Sequence, residues 1–283
     1  MNFFDLHCDT AFECYTKNQE FYVNQLGVSG KKGEVFENWT ETFAIWIKDD
    51  AENPFSLYKT VLKSFKQKLK DLPPNLTPIF AVEGGATIEN DIDRLDILKR
   101  DGIRLLTLTW NGENWVAGGS KSQKGLTPFG KTVIEKMNRL RIGCDMSHLN
   151  SKSFYGAIEL SDFPLASHSN CNAVCPHPRN LTDEQIKLIC EKGGIIGLCF
   201  YPEFLNGDVK TKIYENICHI ADMGFENAIA IGSDFDGGKM SPELDGIDKI
   251  PDLYRFLGQK GLEKCLLDKI FYKNADNYIA KLI

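Results

Sequence analysis

Asn2-Phe3-Phe4-Asp5-Leu6-His7-Cys8-Asp9 is a short apolar run that ends in two metal-ligand side chains, His7 and Asp9. In an extended strand alternate side chains share a face, so these two lie roughly 7 Å apart and can converge on one cation. By the same alternation Asp5 falls on their face, as an orienting group for the ligands or as a buried hydrogen-bonding residue. A lone His-x-Asp pair carries little weight. Its meaning depends on whether further ligands follow, each at the end of its own strand.

Seven more runs rich in β-branched or aromatic residues follow: Thr42–Ile47, Pro78–Val82, Ile103–Thr109, Ile142–Met146, Pro164–Ser167, Gly194–Phe200 and Ala228–Gly232. With Asn2–Leu6 they make eight predicted strands. Helical patterns lie between most of them, at Pro54–Leu69, Thr87–Arg100, Pro128–Leu140, Ser151–Leu160, Asp183–Glu191 and Lys210–Met223. Thr182-Asp183-Glu184-Gln185 reads as a helix start, with Thr182 as N-cap and Gln185 three residues on. Two further helices are expected at Ile250–Gln259 and Leu262–Leu282. Eight alternating units predict an α/β fold, a (β/α)8 TIM-type barrel filling residues 1–283 as one catalytic domain. The first crossover, Thr10 to Glu41, is long, polar and glycine-containing, and reads as partly a lid.

Bulk properties exclude several classes. A formal charge of -6 with no basic stripe argues against nucleic acid as a partner. No apolar run approaches the roughly 18 residues needed to span a bilayer, so no membrane segment is expected. The first residues lack the basic and apolar regions of a signal peptide. Nine cysteines are an odd number, and Cys144, Cys190, Cys199 and Cys218 fall in predicted core segments. That usage fits reduced thiols and a cytoplasmic location.

In such a barrel the active site sits at the C-terminal ends of the strands. Strand 1 ends in His7 and Asp9, strand 3 in Glu83-Gly84-Gly85 and strand 5 in Asp145-Met146-Ser147-His148. Strand 6 ends in Ser167-His168-Ser169-Asn170, and strand 8 in Ser233-Asp234-Phe235-Asp236-Gly237. Three of the five histidines occupy these positions. His7, His148 and His168, with Asp9, Glu83 and Asp234, form a nitrogen and oxygen set suited to Zn²⁺ or a similar divalent ion. A carboxylate such as Glu83 can bridge two ions. Each residue also has a plain alternative: His168 as a hydrogen-bonded core side chain, His148 as a cap, Asp234 and Asp236 as turn residues. All of these holding together at five strand ends is the weaker account. His219 reads as a helix-face residue, His177 between two prolines as structural, and Cys171 and Cys175 lack the second pair a thiolate site needs.

These motifs, with Leu126-Thr127-Pro128-Phe129-Gly130 and Pro178-Arg179-Asn180-Leu181-Thr182-Asp183, resemble the renal or membrane dipeptidase family across nearly the whole chain. That family is a dinuclear zinc peptidase group among the amidohydrolase-type barrels. The resemblance implies two zinc ions per chain, one held by His7, Asp9 and Glu83, the other by Glu83, His148 and His168. It implies that Arg179 holds the substrate's free carboxylate and that Asp234 serves its amino group and the proton transfer. The expected substrate is a dipeptide or similar small molecule, and the expected assembly a homodimer. The chain departs from the family at Trp110, which stands where many members carry a histidine after the fourth strand. Either Trp110 is an aromatic wall, or Trp110 or Asn111 supplies the donor that the histidine would give to the substrate carbonyl. The rival functions are another amide or lactone hydrolysis on the same barrel, and a barrel that has lost catalysis and serves as a binding protein.

Overall fold

The eight runs do form strands, and the strands close on themselves. In the computed structural model, which describes residues 1–70 and 72–283, β1 (Asn2–Cys8), β2 (Asn38–Trp46), β3 (Leu76–Glu83) and β4 (Ile103–Thr107) pair in parallel. They continue through β5 (Gly143–Asp145), β6 (Pro164–Ala166), β7 (Ile195–Leu198) and β8 (Ile229–Ile231) into a closed parallel barrel in chain order. The helices are α1 (Thr10–Thr16), α2 (Gly30–Gly33), α3 (Pro54–Lys68), α4 (Arg94–Asp101), α5 (Pro128–Leu140) and α6 (Ser151–Leu160). They continue as α7 (Asp183–Glu191), α8 (Val209–Asp222), α9 (Ile250–Gln259), α10 (Lys264–Asp268) and α11 (Asn274–Ile279). The architecture is an α/β TIM-type barrel.

Two apolar layers hold it. Phe4, Leu6, Ala44, Ala81, Leu105, Leu165, Ile195 and Ala230 fill the barrel interior. The C-terminal segment closes the floor, where Tyr278, Ile279 and Leu282 join this cluster and the Tyr278 hydroxyl donates to the Phe163 carbonyl just before β6. A larger shell, including Trp39, Phe43, Phe65, Ile134, Ile186 and Ile217, seals strands against helices. Several helices start where a side chain satisfies a free N–H group: Thr127 accepts from Gly130, Asn150 from Ser153, and Thr182 with Gln185 forms the expected capping box. The polar end that remains open is the C-terminal end of the strands.

Four expectations change. The helix expected at Thr87–Arg100 is a 3₁₀ turn at Gly85–Ile88 and then α4, because Glu89 takes φ +52 and interrupts the helical path. The helix expected at Leu262–Leu282 is broken into α10, a wide turn at Lys269–Lys273, α11 and a short 3₁₀ end. The second strand begins at Asn38, four residues before the expected Thr42, with buried Glu41 accepting from the Trp39 indole N–H. The crossover after α1 is packed down and forms no lid: Phe21, Leu26 and Val28 are buried, and Asp236 accepts from the backbone N–H of Gly27 and Val28.

Candidate metal centre and substrate cleft

β1 carries one extra residue against β2: Asp5 pairs with Glu41 but Cys8 pairs with Phe43. This bulge resets the alternation. Asp5 therefore lies with Glu41 on the outer layer and away from the ligands, which corrects the same-face expectation. Its carboxylate accepts from the backbone N–H of His7 and Ser233, fixing the strand end, and burial pushes it up to about 6. His7 turns into the barrel mouth. Asp9, the first residue past β1, follows it, with 3.7 Å between His7 Nε2 and Asp9 Oδ2.

The remaining expected ligands meet there. His7 Nε2 is 3.4 Å from Glu83 Oε2, and Glu83 Oε1 is 2.8 Å from His148 Nε2 and 4.0 Å from His168 Nε2. Two potential ion-binding groups share Glu83, one with His7 and Asp9, the other with His148 and His168; a third combines His7, His168 and Asp234. Glu83 reaches the centre because the chain turns sharply behind it. Gly84 has φ +125, and a side chain there would run into the Ile47 carbonyl. His148, Asp234 and Asp236 also take positive φ, so three non-glycine residues in left-handed backbone gather at one rim.

The imidazoles are oriented from behind. Asp145 accepts from the backbone N–H of Ser147 and Ser167, and from the hydroxyls of Thr107 and Ser167. With its proton given to Asp145, the Ser167 hydroxyl accepts from His168 Nδ1 at 2.8 Å. Asn111 Oδ1 accepts from His148 Nδ1 at 3.0 Å. Both histidines therefore carry their proton on Nδ1 and present a bare Nε2 to the centre. Those two bare nitrogens face each other at 2.8 Å. Burial, with the nearby Arg179 charge, pushes His148 down to about 4, and burial with His7 and His148 holds His168 well below the usual range. Two neutral imidazoles pointing lone pairs at each other repel unless a cation lies between them.

The carboxylates are crowded to match. Burial opposes ionisation of Glu83, yet the facing His148 and His7 outweigh it and hold it below the usual carboxylate range. Burial and the Glu83 charge push Asp9 up. Asp234, raised to about 6 by burial despite the opposing pull of His7, lies 4.0 Å from His7 Nε2. His7 Nε2 and Asp9 Oδ1 are buried without a hydrogen-bond partner. The donor set, the orphaned atoms and the opposed nitrogens fit divalent ions.

Above the centre lies a cleft of about 580 Å³, lined on one side by Phe12, Trp46 and Trp110 and on the other by His177, Arg179, Tyr201 and Phe204. The Trp46 and Trp110 rings meet edge to face at 5.2 Å, and Trp110 sits 6.4 Å from the His148 ring. Asp49 accepts from the backbone N–H of Trp110 and Gly112, which pins the loop after β4. Arg179 is 7% exposed and ends beneath the cleft with no carboxylate partner among the described residues; its Nε is unsatisfied. Its guanidinium lies 5.3 Å over the Phe204 ring.

Every expected site residue lines this cleft or its floor. Asn111 differs in role, because its side-chain oxygen is engaged by His148 and Ser120. His177 lines the cleft, and its Nδ1 accepts from the Arg179 backbone N–H. His219 lies on α8 and contacts Asp183, and all nine cysteines are free thiols. Asp145 and Ser167 were not singled out as functional. Their signal was present, since each sits in the same strand-end motif as a ligand histidine. Phe12, Trp46 and Tyr201 left no such mark.

A parallel eight-stranded barrel with a histidine and carboxylate cluster in its C-terminal mouth defines a metal-dependent barrel hydrolase. The model of the membrane dipeptidase family, peptidase family M19, matches residues 51–277, so the chain belongs to that family and is a metallo-dipeptidase by class. An uncharacterised dipeptidase of Schizosaccharomyces pombe is 33% identical over 223 residues, 75% of this chain and 54% of the relative. Dipeptidase tcpJ of Claviceps purpurea is 30% identical over 207 residues, 69% of this chain and 48% of the relative. The chain thus spans about half the length of these fungal relatives. A Rhodobacter sphaeroides metallopeptidase, liganded with a phosphinate mimic of the dipeptide L-Ala-D-Ala, shares the fold. It has a TM-score of 0.87 and 22% identity, with 100% of this chain and 99% of that one covered. No helix among the described residues is long and apolar enough to cross a membrane.

Proposed function

We propose that the protein hydrolyses the peptide bond of dipeptides with two zinc ions, Glu83 being shared between them. One observation carries this reading: His148 and His168, each fixed with its proton on Nδ1, oppose bare Nε2 atoms at 2.8 Å beside Glu83. His7, Asp9 and Glu83 would hold one ion, and Glu83, His148 and His168 the other. Bound zinc supplies a water acidic enough to attack at neutral pH and a Lewis acid for the scissile carbonyl.

The chain's own groups do the rest. Arg179 offers a buried fork whose Nε is unsatisfied and whose one internal hydrogen bond is a long one to the His168 carbonyl, so a substrate carboxylate is the anion that completes it. Tyr201 and Phe204 close the cleft around that end. Asp234, raised to about 6, receives a proton and returns it to the leaving amine, and its charge accepts the substrate ammonium. Trp110 acts as an aromatic wall: its ring packs on Trp46 and its backbone is held by Asp49. The nine free thiols support a reducing, cytoplasmic setting.

The test is a hydrolysis screen of the zinc-loaded protein against a dipeptide library, with C-terminally blocked dipeptides and lactones alongside. Turnover confined to substrates with a free carboxylate and a peptide bond supports the reading. Turnover of lactones alone, or of blocked and free dipeptides equally, contradicts it.

A further inference from the structure

Arg179 accounts for one carboxylate, yet the cleft holds a second cation. Lys121 lines the same cavity, exposed at its rim. Glu113 of its own loop pairs with Lys124 at 2.7 Å, and Glu13, which also lines the cleft, pairs with Lys17 at 2.5 Å. Lys121 has no ion-pair partner among the described residues.

The loop that presents it is fastened to the centre. Lys121 donates its backbone N–H to the Asn111 carbonyl at 2.8 Å, and Ser120 donates to Asn111 Oδ1, the atom that also orients His148. Asp49 clamps the same loop from below. The position of Lys121 over the cleft is therefore set, although its side chain is long.

Barrel order places Lys121 nearer Arg179 than Asp234. Lys121 follows β4 and Arg179 follows β6, flanking His148 after β5, whereas Asp234 follows β8 on the far side. A dipeptide with its carboxylate on Arg179 and its ammonium towards Asp234 has its C-terminal residue at the Arg179 end, the end of the cleft nearer Lys121 in barrel order.

We infer that Lys121 is a specificity-determining residue that selects dipeptides whose C-terminal residue carries an acidic side chain. The inference rests on the dipeptidase reading above. It is tested with the zinc-loaded enzyme on Ala-Glu, Ala-Gln, Ala-Asp and Ala-Asn, with either configuration at the second residue. The acids and their amides differ in charge and hardly in shape. The expected kcat/KM ratio of Ala-Glu over Ala-Gln is about five-fold, the effect of one solvent-screened ion pair, and it shrinks as salt rises. Lys121→Met brings the ratio near unity, Lys121→Glu inverts it, and Lys121→Arg keeps it. Cleavage of these substrates without preference for the acids, or a preference that Lys121→Met leaves in place, overturns the inference and leaves the dipeptidase reading standing. No cleavage of any of them, with zinc bound and the rest of the dipeptide library also inert, overturns both.

Discussion

The floor of the cleft and its rim are built by different rules. The floor consists of strand ends: His7, Glu83, Asp145 and His168 are each at most 3% exposed, with Asp145 held by backbone N–H groups and the His168 ring by the Ser167 hydroxyl. The rim carries Phe12 from α1, Trp46 from the end of β2, and Trp110, Lys121 and Tyr201 from loops, held by a few side-chain clamps such as Asp49 and Asp236. Chemistry that needs atoms placed to a fraction of an ångström sits on the floor. Substrate choice, which tolerates looser placement, sits on the rim.

Changes on the floor should therefore cost most. Glu83→Ala removes the carboxylate common to both ion groups. It should lose bound metal and at least about 10³-fold in turnover, read by metal analysis and dipeptide hydrolysis. Retention of both ions would place the bridging role elsewhere. Arg179→Met should raise KM for free dipeptides about 100-fold while changing KM for C-terminally blocked ones little, as expected for losing one side of a buried charged hydrogen-bond pair. Equal effects on both would remove Arg179 from carboxylate recognition.

Ser167→Ala touches no substrate, yet it frees His168 Nδ1 from its acceptor. Metal affinity or activity should fall about 10- to 100-fold, measured by zinc titration. At the rim, Trp110→Phe keeps an aromatic wall and should change turnover no more than about three-fold. A loss of about 3 kcal/mol in the barrier would instead show the indole N–H to be an essential donor.

Away from both regions, Glu41 is buried on the outer layer with its pKa raised well above the usual range by burial and the Asp5 charge. An acid whose folded pKa is raised gives its full stability contribution below its unfolded pKa and loses it as pH rises towards the folded value. Glu41→Gln should thus raise Tm relative to wild type at pH 8, by about 2 °C, and by less at pH 5. A larger gain at pH 5 would reverse the sign and show Glu41 to be stabilised as a carboxylate.

The same division explains what could be read from the chain. His7, Glu83, His148, His168 and Asp234 were legible because each ends an apolar run, and parallel pairing brings such ends to one rim. The face of Asp5 was not, since one inserted residue in β1 reverses the alternation and nothing local marks it. The start of β2 was hidden by Glu41, an acid that is buried with its pKa raised and with a hydrogen bond from the Trp39 indole. The segment after α1 looked like a lid because its polar residues show no period. Its burial depends on Asp236, some two hundred residues away in sequence, bonding Gly27. Rim residues such as Tyr201 and Lys121 are set by loop paths, which no pattern of two or 3.6 encodes.

The metal content of the purified protein tests the paired ion sites around Glu83 most directly. These sites predict about two zinc ions per chain after dialysis, falling in Glu83→Ala, with dipeptide turnover that is lost to a chelator and restored by zinc. A folded protein that binds no metal, and gains no turnover when zinc is added, would contradict them.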